Sequence, residues 1–130
     1  MRYRLAGLIV GLVLVLAAQE KSEPRFEMTT YYLGLLRKGP SWSAEVTDET
    51  KRIQAAHLAH IGKMADSGKL ILAGPITDGG ELRGIFVFKT DSIEEAKALS
   101  EADPAVEAGR LVVELHPWLG PKGLRYDPPK

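Results

Sequence analysis

The sequence contains neither cysteine nor asparagine in its 130 residues. Without cysteine there are no disulfides, thiolate metal ligands, cysteine nucleophiles or lipid-modified cysteines, and without asparagine there is no N-linked glycosylation. An excess of charge is also missing, since 17 basic side chains balance 17 acidic ones. With no broad basic field, we predict no nucleic-acid partner. The phosphate-binding and nucleophile motifs G-x-G-x-x-G, G-x-x-x-x-G-K, G-x-S-x-G and H-E-x-x-H do not occur either.

What the sequence does contain is enough apolar material for one packed domain. Apolar residues make up 45% of the chain and charged residues 26%. This composition is typical of a globular protein and not of a disordered one. The length sets a single domain as the upper limit.

The apolar residues are concentrated at the start of the chain. Residues 1–18 open with two arginines, continue through 12 apolar or glycine residues and end in two alanines. This layout is typical of a secretory signal peptide, and the run is too short for a helix that needs about 20 residues to span a bilayer. We therefore predict an exported protein, periplasmic or secreted, with no stable membrane insertion after cleavage; an uncleaved N-terminal anchor is the alternative. Residues 19–27 then form a tether, 28–120 the domain and 121–130 a C-terminal tail.

Hydrophobic periodicity and turn residues divide the domain into alternating elements. The patterns predict a strand over 28–36, a helix over 47–67, a hairpin with strands over 70–73 and 82–88, a helix over 92–102, one further turn over 105–108 and a strand over 111–115. Thr47 or Asp48 can cap the first helix, Gly68 can end it, and Ser92 with Glu95 forms a capping-box pattern at the second. The order βαββαβ predicts an α+β, ferredoxin-like fold with helices on one face of an antiparallel sheet.

The strand at 82–88 is apolar on both of its faces. Ile85 and Val87 point to one side of the sheet, and Phe86 and Phe88 to the other. Because two helices can cover only one face, we predict a homodimer in which two sheets pack face to face. An open apolar face that binds a ligand is the alternative.

Two histidines three residues apart are the first candidates for chemistry. His57 and His60 lie on neighbouring points of one helix face, which suits either a general base or part of a metal site. A metal would need a distant third ligand, Asp103 or His116, and we predict no metal site and no cofactor. Asp103 beside Pro104 could instead hold the second nitrogen of a catalytic imidazole, although such a residue is often only a turn or cap.

Polar residues near the hairpin and the last strand offer weaker signals. Asp78 and Arg83 flank the hairpin, where exposed polar residues are usual. Trp118 follows His116 and Pro117 at the end of the last predicted strand and could line a pocket mouth, although packing is the more common role of such an aromatic residue.

Four short segments stand in a characteristic order: AHLAHI at 56–61, GKLILAGP at 68–75, ADPAVEAG at 102–109 and HPW at 116–118. Together they resemble the YciI-like, or YCII-related, domain family. The resemblance covers about Tyr31 to Gly120. It implies a ferredoxin-like fold that dimerises into an α+β barrel, and a catalytic pair that maps to His57 and Asp103.

We therefore predict a cofactor-free small-molecule enzyme that catalyses elimination, hydrolysis or isomerisation. His57 and Asp103 are its candidate catalytic residues. Gly74, Pro75, Arg83 and Trp118 are its candidate substrate-binding residues. The alternative is a non-catalytic module of the cell envelope that binds a small ligand or a metal in the same cavity.

Overall fold

A computed structural model describes residues 25–127 and Pro129. The predicted signal peptide, 1–18, and most of the predicted tether lie outside the described residues. The elements are β1 (Met28–Lys38), α1 (Asp48–Asp66), β2 (Leu70–Pro75), β3 (Leu82–Phe88), α2 (Ile93–Glu101), α3 (Pro104–Glu107) and β4 (Leu111–Pro121). No helix within the described part of the chain is long and apolar enough to cross a membrane.

The four strands form one antiparallel sheet in the order β2-β3-β1-β4, with the helices on one face. α2 and α3 together take the place of the second helix, because Pro104 cannot continue α2 and starts α3 instead. The predicted α+β, ferredoxin-like βαββαβ fold is confirmed.

Local hydrogen bonds set the start of each long helix. At α1, Thr47 is the cap: its hydroxyl accepts from the Thr50 amide at 3.1 Å, and the Thr50 hydroxyl accepts from the Thr47 amide at 2.9 Å. At α2, Ser92 accepts from the Glu95 amide, but the Glu95 carboxylate accepts from the Asp91 amide and not from Ser92. The predicted capping box at α2 is therefore only half formed.

β4 is much longer than predicted. It pairs with β1 over 11 residues, from Leu111 opposite Lys38 to Pro121 opposite Met28. The predicted end of this strand at residue 115 is wrong, because the strand continues through Pro117. β4 lies at the edge of the sheet, where a residue that lacks an N–H is tolerated.

The core lies between the helices and one face of the sheet. It comprises Leu36, Met64, Leu70, Phe86, Phe88, Ala96, Ala105 and Leu111. By strand alternation, the opposite face carries Leu33, Leu35, Ile85 and Val87 from the two central strands. We call this set of four residues the open face.

Candidate active site

A buried histidine and a buried aspartate meet between α1 and α3. His57 Nδ1 lies 2.7 Å from Asp103 Oδ2 and 2.9 Å from Oδ1. The His57 residue is only 7% exposed and Asp103 is fully buried. The structure thus brings together two side chains that are 46 residues apart in the sequence.

Asp103 is fixed by the helix that it caps. Its Oδ1 accepts from the Ala105 amide at 2.8 Å at the start of α3. The capping role and the contact with His57 therefore occur together. A carboxylate held by a backbone amide at one oxygen and an imidazole at the other has little freedom to rotate.

The His57 ring stands at the wall of a cavity of about 340 Å³. It stacks on Phe86, with ring centroids 6.2 Å apart and an angle of 26° between the planes. Within the described residues, Nδ1 is the ring nitrogen that has protein partners, so Nε2 is left for other groups. The volume suits a small organic molecule.

The cavity lies between α1, α3 and the helix-covered face of the sheet. Its lining is mostly apolar, and its polar side chains are Gln54, His57, Arg83 and Arg110. Gly74 and Pro75, at the end of β2, also line it. Three of the four predicted substrate-binding residues thus lie at this wall.

Trp118 lies elsewhere and does not line the cavity. It packs against Tyr31 on β1, with ring centroids 5.8 Å apart. The reason is the length of β4: the strand continues through Trp118, so the side chain belongs to a strand pair and not to a loop at the pocket mouth.

The remaining polar candidates have other partners. Asp78 accepts from the Gly80 amide at 2.8 Å in the hairpin turn. His60 Nε2 lies 2.8 Å from the Leu99 carbonyl oxygen, to which it donates, and so ties α1 to α2. His116 Nε2 lies 2.6 Å from Glu114 Oε1 on an exposed part of β4. Among residues 25–127, no group of three or more histidine, aspartate or glutamate side chains could hold a metal ion.

Sequence reasoning missed Gln54, Trp42 and Arg110 in the cavity wall. Gln54 lies one helical turn before His57, so α-helical spacing could have identified it. Trp42 and Arg110 carry no such signal. They meet because the segment after β1 hydrogen-bonds to the residues before β4, from the Gly39 amide to the Arg110 carbonyl at 2.9 Å.

The fold and the site define a class: a small α+β protein in which a buried histidine–aspartate pair stands at the edge of a cavity. The chain belongs to the YCII-related domain family, whose family model matches residues 30–119. A comparison of the sequence with curated proteins finds no match.

Among solved structures, the chain is similar in fold to a 5-chloro-2-hydroxyhydroquinone dehydrochlorinase from Burkholderia phenoliruptrix, determined with 2,5-dihydroxybenzoquinone. The TM-score is 0.50 at 21% sequence identity, and the match covers 68% of this chain and 92% of that one. At this identity the likeness supports the fold alone.

Proposed function

We propose that the protein is a small-molecule enzyme in which His57 transfers a proton and Asp103 orients the imidazole. The observation that carries the proposal is the contact of 2.7 Å between His57 Nδ1 and a fully buried carboxylate, at the wall of a cavity. A histidine held by a carboxylate at the wall of a cavity is a common arrangement in active sites that use general acid–base catalysis.

The geometry suits a general base. When the Asp103 carboxylate accepts a hydrogen bond from the Nδ1–H group, the free lone pair of the neutral imidazole is on Nε2. Nε2 can then take a proton from a C–H, an O–H or a water in the cavity. The carboxylate stabilises the imidazolium that forms, and the same nitrogen can return the proton to a leaving group or a neighbouring carbon.

Elimination, hydrolysis and isomerisation all begin with such a proton transfer, so the pair supports each of them. The dehydrochlorinase described above, which holds a small cyclic ligand, adds to the proposal of a small-molecule substrate. The stacking of His57 on Phe86 and its low exposure limit access of bulk water to the base.

The test is a screen of small molecules for turnover, with His57→Ala and His60→Ala as a matched pair. Both variants remove an imidazole from α1, but only His57 lines the cavity. We expect turnover to be lost in His57→Ala, by about 10²–10⁴-fold as for a general base, and kept in His60→Ala. If His57→Ala turns over substrate as fast as the wild type, the proposal is wrong.

A ligand that binds without turnover would favour the alternative, a non-catalytic binding module. In that case His57→Ala should weaken the affinity, because the imidazole would then be a binding group only. For an enzyme, His57→Ala should leave most of the ligand affinity intact.

We also propose that two copies of the chain associate through the open face and that the mature protein is exported. The support for the first is the set of apolar side chains on the sheet face away from the helices, where Leu33, Leu35 and Ile85 are partly exposed and Val87 is buried. The support for the second is the composition of residues 1–18.

A further inference from the structure

Three positive charges surround one indole ring beside the proposed active site. Trp42 lies between β1 and α1, and its ring centroid is 4.8 Å from the Arg83 guanidinium carbon, 5.3 Å from that of Arg110 and 5.7 Å from Lys38 Nζ. A cation is attracted to the face of an aromatic ring, so the indole orients these side chains. Arg83 comes from β3 and Arg110 from just before β4, and both line the cavity together with Trp42.

The two arginines have no acidic partner within the described residues. Lys38 pairs with Glu81 at 3.6 Å. Arg83 Nη1 donates to the Gly80 carbonyl at 3.4 Å, and Arg110 Nη2 donates to the Ser43 carbonyl at 3.1 Å. No aspartate or glutamate is among the described side chains that line the cavity. Because an arginine does not lose its proton in a protein, the two charges repel each other unless an anion lies between them.

The Nε–H group of Arg83 is a hydrogen-bond donor without an acceptor among the described residues. Its nitrogen is also buried. Buried N–H groups are almost always paired in folded proteins, so this nitrogen calls for an acceptor. With Nη1 directed to Gly80, the free edge of the guanidinium consists of Nε–H and Nη2–H. These are two parallel donors that match the two oxygens of a carboxylate or a phosphate.

We propose that Arg83 and Arg110 bind an anionic oxygen group of the substrate, a carboxylate or a phosphate. The anion site itself does not depend on the proposed function. Only the reaction at the other end of the molecule, which would lie against His57 and Phe86, rests on it. The rest of the lining is largely apolar, with Leu36, Ile61 and Leu111 among its members. The substrate class is thus a small organic anion with an apolar or aromatic body.

Binding of simple probes tests this directly. Benzoate and phenyl phosphate supply the two anionic groups on the same ring, and benzamide is a neutral molecule of similar shape. Calorimetric titration of the purified protein should show that at least one anion binds about tenfold or more tightly than benzamide. The tighter of the two anions identifies the group. The Arg83 Nε–H resonance, followed by NMR, should shift on addition of that anion and not on addition of benzamide.

Substitutions locate the site. Arg83→Gln and Arg110→Gln should each weaken binding of the anion by about tenfold or more, while Arg83→Lys, which keeps the charge but loses the parallel donors, should give an intermediate affinity. Arg52→Gln removes the same charge from an exposed position on α1 and should leave the affinity unchanged. The proposal is wrong if both anions bind no more tightly than benzamide. It is also wrong if the double variant, which carries both Arg83→Gln and Arg110→Gln, binds the anions as tightly as the wild type does.

The anion test and the catalytic test can fail separately. His57→Ala should keep the anion affinity, because the arginines are intact. Anion binding without turnover of any compound would support the anion site and contradict the enzyme. Turnover of a neutral substrate that is unaffected by Arg83→Gln and Arg110→Gln would support the enzyme and contradict the anion site.

Discussion

Asp103 links the stability of the fold to the proposed chemistry. The same side chain caps α3 and holds the His57 imidazole. A substitution at this position therefore affects two properties, and the choice of replacement can separate them.

Asp103→Asn and Asp103→Ala should differ in stability. Asparagine is a good N-cap, so its oxygen can still accept from the Ala105 amide. Its amide, however, donates to His57 Nδ1 and places the ring proton on Nε2, where it prevents action as a base. Alanine loses the cap and leaves a buried imidazole N–H unpaired, which should lower the free energy of unfolding by about 1–3 kcal/mol relative to Asn.

Urea denaturation of the two variants measures this difference, and turnover of the substrate found in the screen measures the chemistry. We expect low activity in both variants and reduced stability mainly in Asp103→Ala. Equal stability of the two variants would contradict the double role of Asp103.

Single residues of the candidate site could be predicted only where a local pattern or the family resemblance includes them. His57, Asp103, Gly74 and Pro75 all lie in the segments that resemble the family. Arg110 and Trp42 did not, because their meeting depends on how two loops pair across the sheet. No sequence pattern near either residue carries that information.

At the scale of the elements, an irregularity in β3 presents Arg83 to the cavity. The register with β1 runs regularly to Leu36 opposite Gly84 and then shifts to Arg37 opposite Leu82. Arg83 is the extra residue of this bulge and has no partner in the register. Bulges of this kind redirect a side chain, here toward the cavity wall.

Gly84 is the next residue, and β2 lies very close to it. A Cβ at Gly84 would stand 2.8 Å from the Gly74 carbonyl oxygen, so Gly84→Ala must push the two strands apart. We expect a loss of about 1–3 kcal/mol in the free energy of unfolding, as in other overpacked sites. The displaced strand carries Gly74 and Pro75, so affinity for the cavity ligand should fall as well.

Gly62→Ala is the matched control. A Cβ at this position in α1 meets no atom within 4 Å. Alanine in a helix is favoured over glycine by about 0.5–1 kcal/mol, so this variant should be more stable than the wild type. Thermal unfolding of both variants checks the pair; a Gly84→Ala protein as stable as Gly62→Ala would show that β2 can move away without cost.

The start of α2 should respond to acid. The Lys69 ammonium, 2.8 Å away, and the Asp91 amide hold the pKa of the Glu95 carboxyl below its ordinary value of 4.5. A lowered pKa in the folded state stabilises the fold above the ordinary value, and this stabilisation is lost as the pH falls through the folded value. We expect Glu95→Gln to melt at a lower temperature than the wild type at neutral pH and the difference to shrink below pH 4.5.

Glu94→Gln serves as control for that experiment, because it removes the same charge from the same first turn of α2. The effect of the helix dipole is then common to both variants. A Glu95→Gln deficit that is equal to that of Glu94→Gln, or that persists unchanged in acid, would rule out the Lys69 contact as its cause.

The helices and strands were largely predictable from the sequence, and the exception is the length of β4. The periodic patterns located all four strands and the main helices. For β4 the sequence predicts a shorter strand, 111–115, because His116-Pro117 looks locally like a strand end. Only the position of β4 at the edge of the sheet, a property of the whole topology, explains why pairing with β1 continues past the proline.

For the molecule as a whole, the proposed association through the open face can be tested by measuring the mass in solution. Leu35 and Ile85 are paired across the two central strands on this face, and on its other side Leu35 is paired with Glu114 of β4. Light scattering should give twice the chain mass for the wild type at micromolar concentration. Leu35→Glu should give the mass of a single chain, because burying a second carboxylate beside Glu114 and against Ile85 is costly.

Val46→Glu is the control, since Val46 is an apolar residue outside the sheet that is already 75% exposed. It should leave the mass at that of the wild type. A wild-type protein that is a monomer under these conditions would contradict association through the open face.

The prolines of the outer strands have a consequence for behaviour at high concentration. β2 ends in Pro75, and β4 contains Pro117 and Pro121. A proline offers no N–H to an incoming strand, and edge strands that carry prolines resist extension of the sheet by a neighbouring chain. Growth in the plane of the sheet is thereby hindered at both margins. We therefore expect this protein to resist forming fibrils by edge-to-edge pairing of its sheets at high concentration.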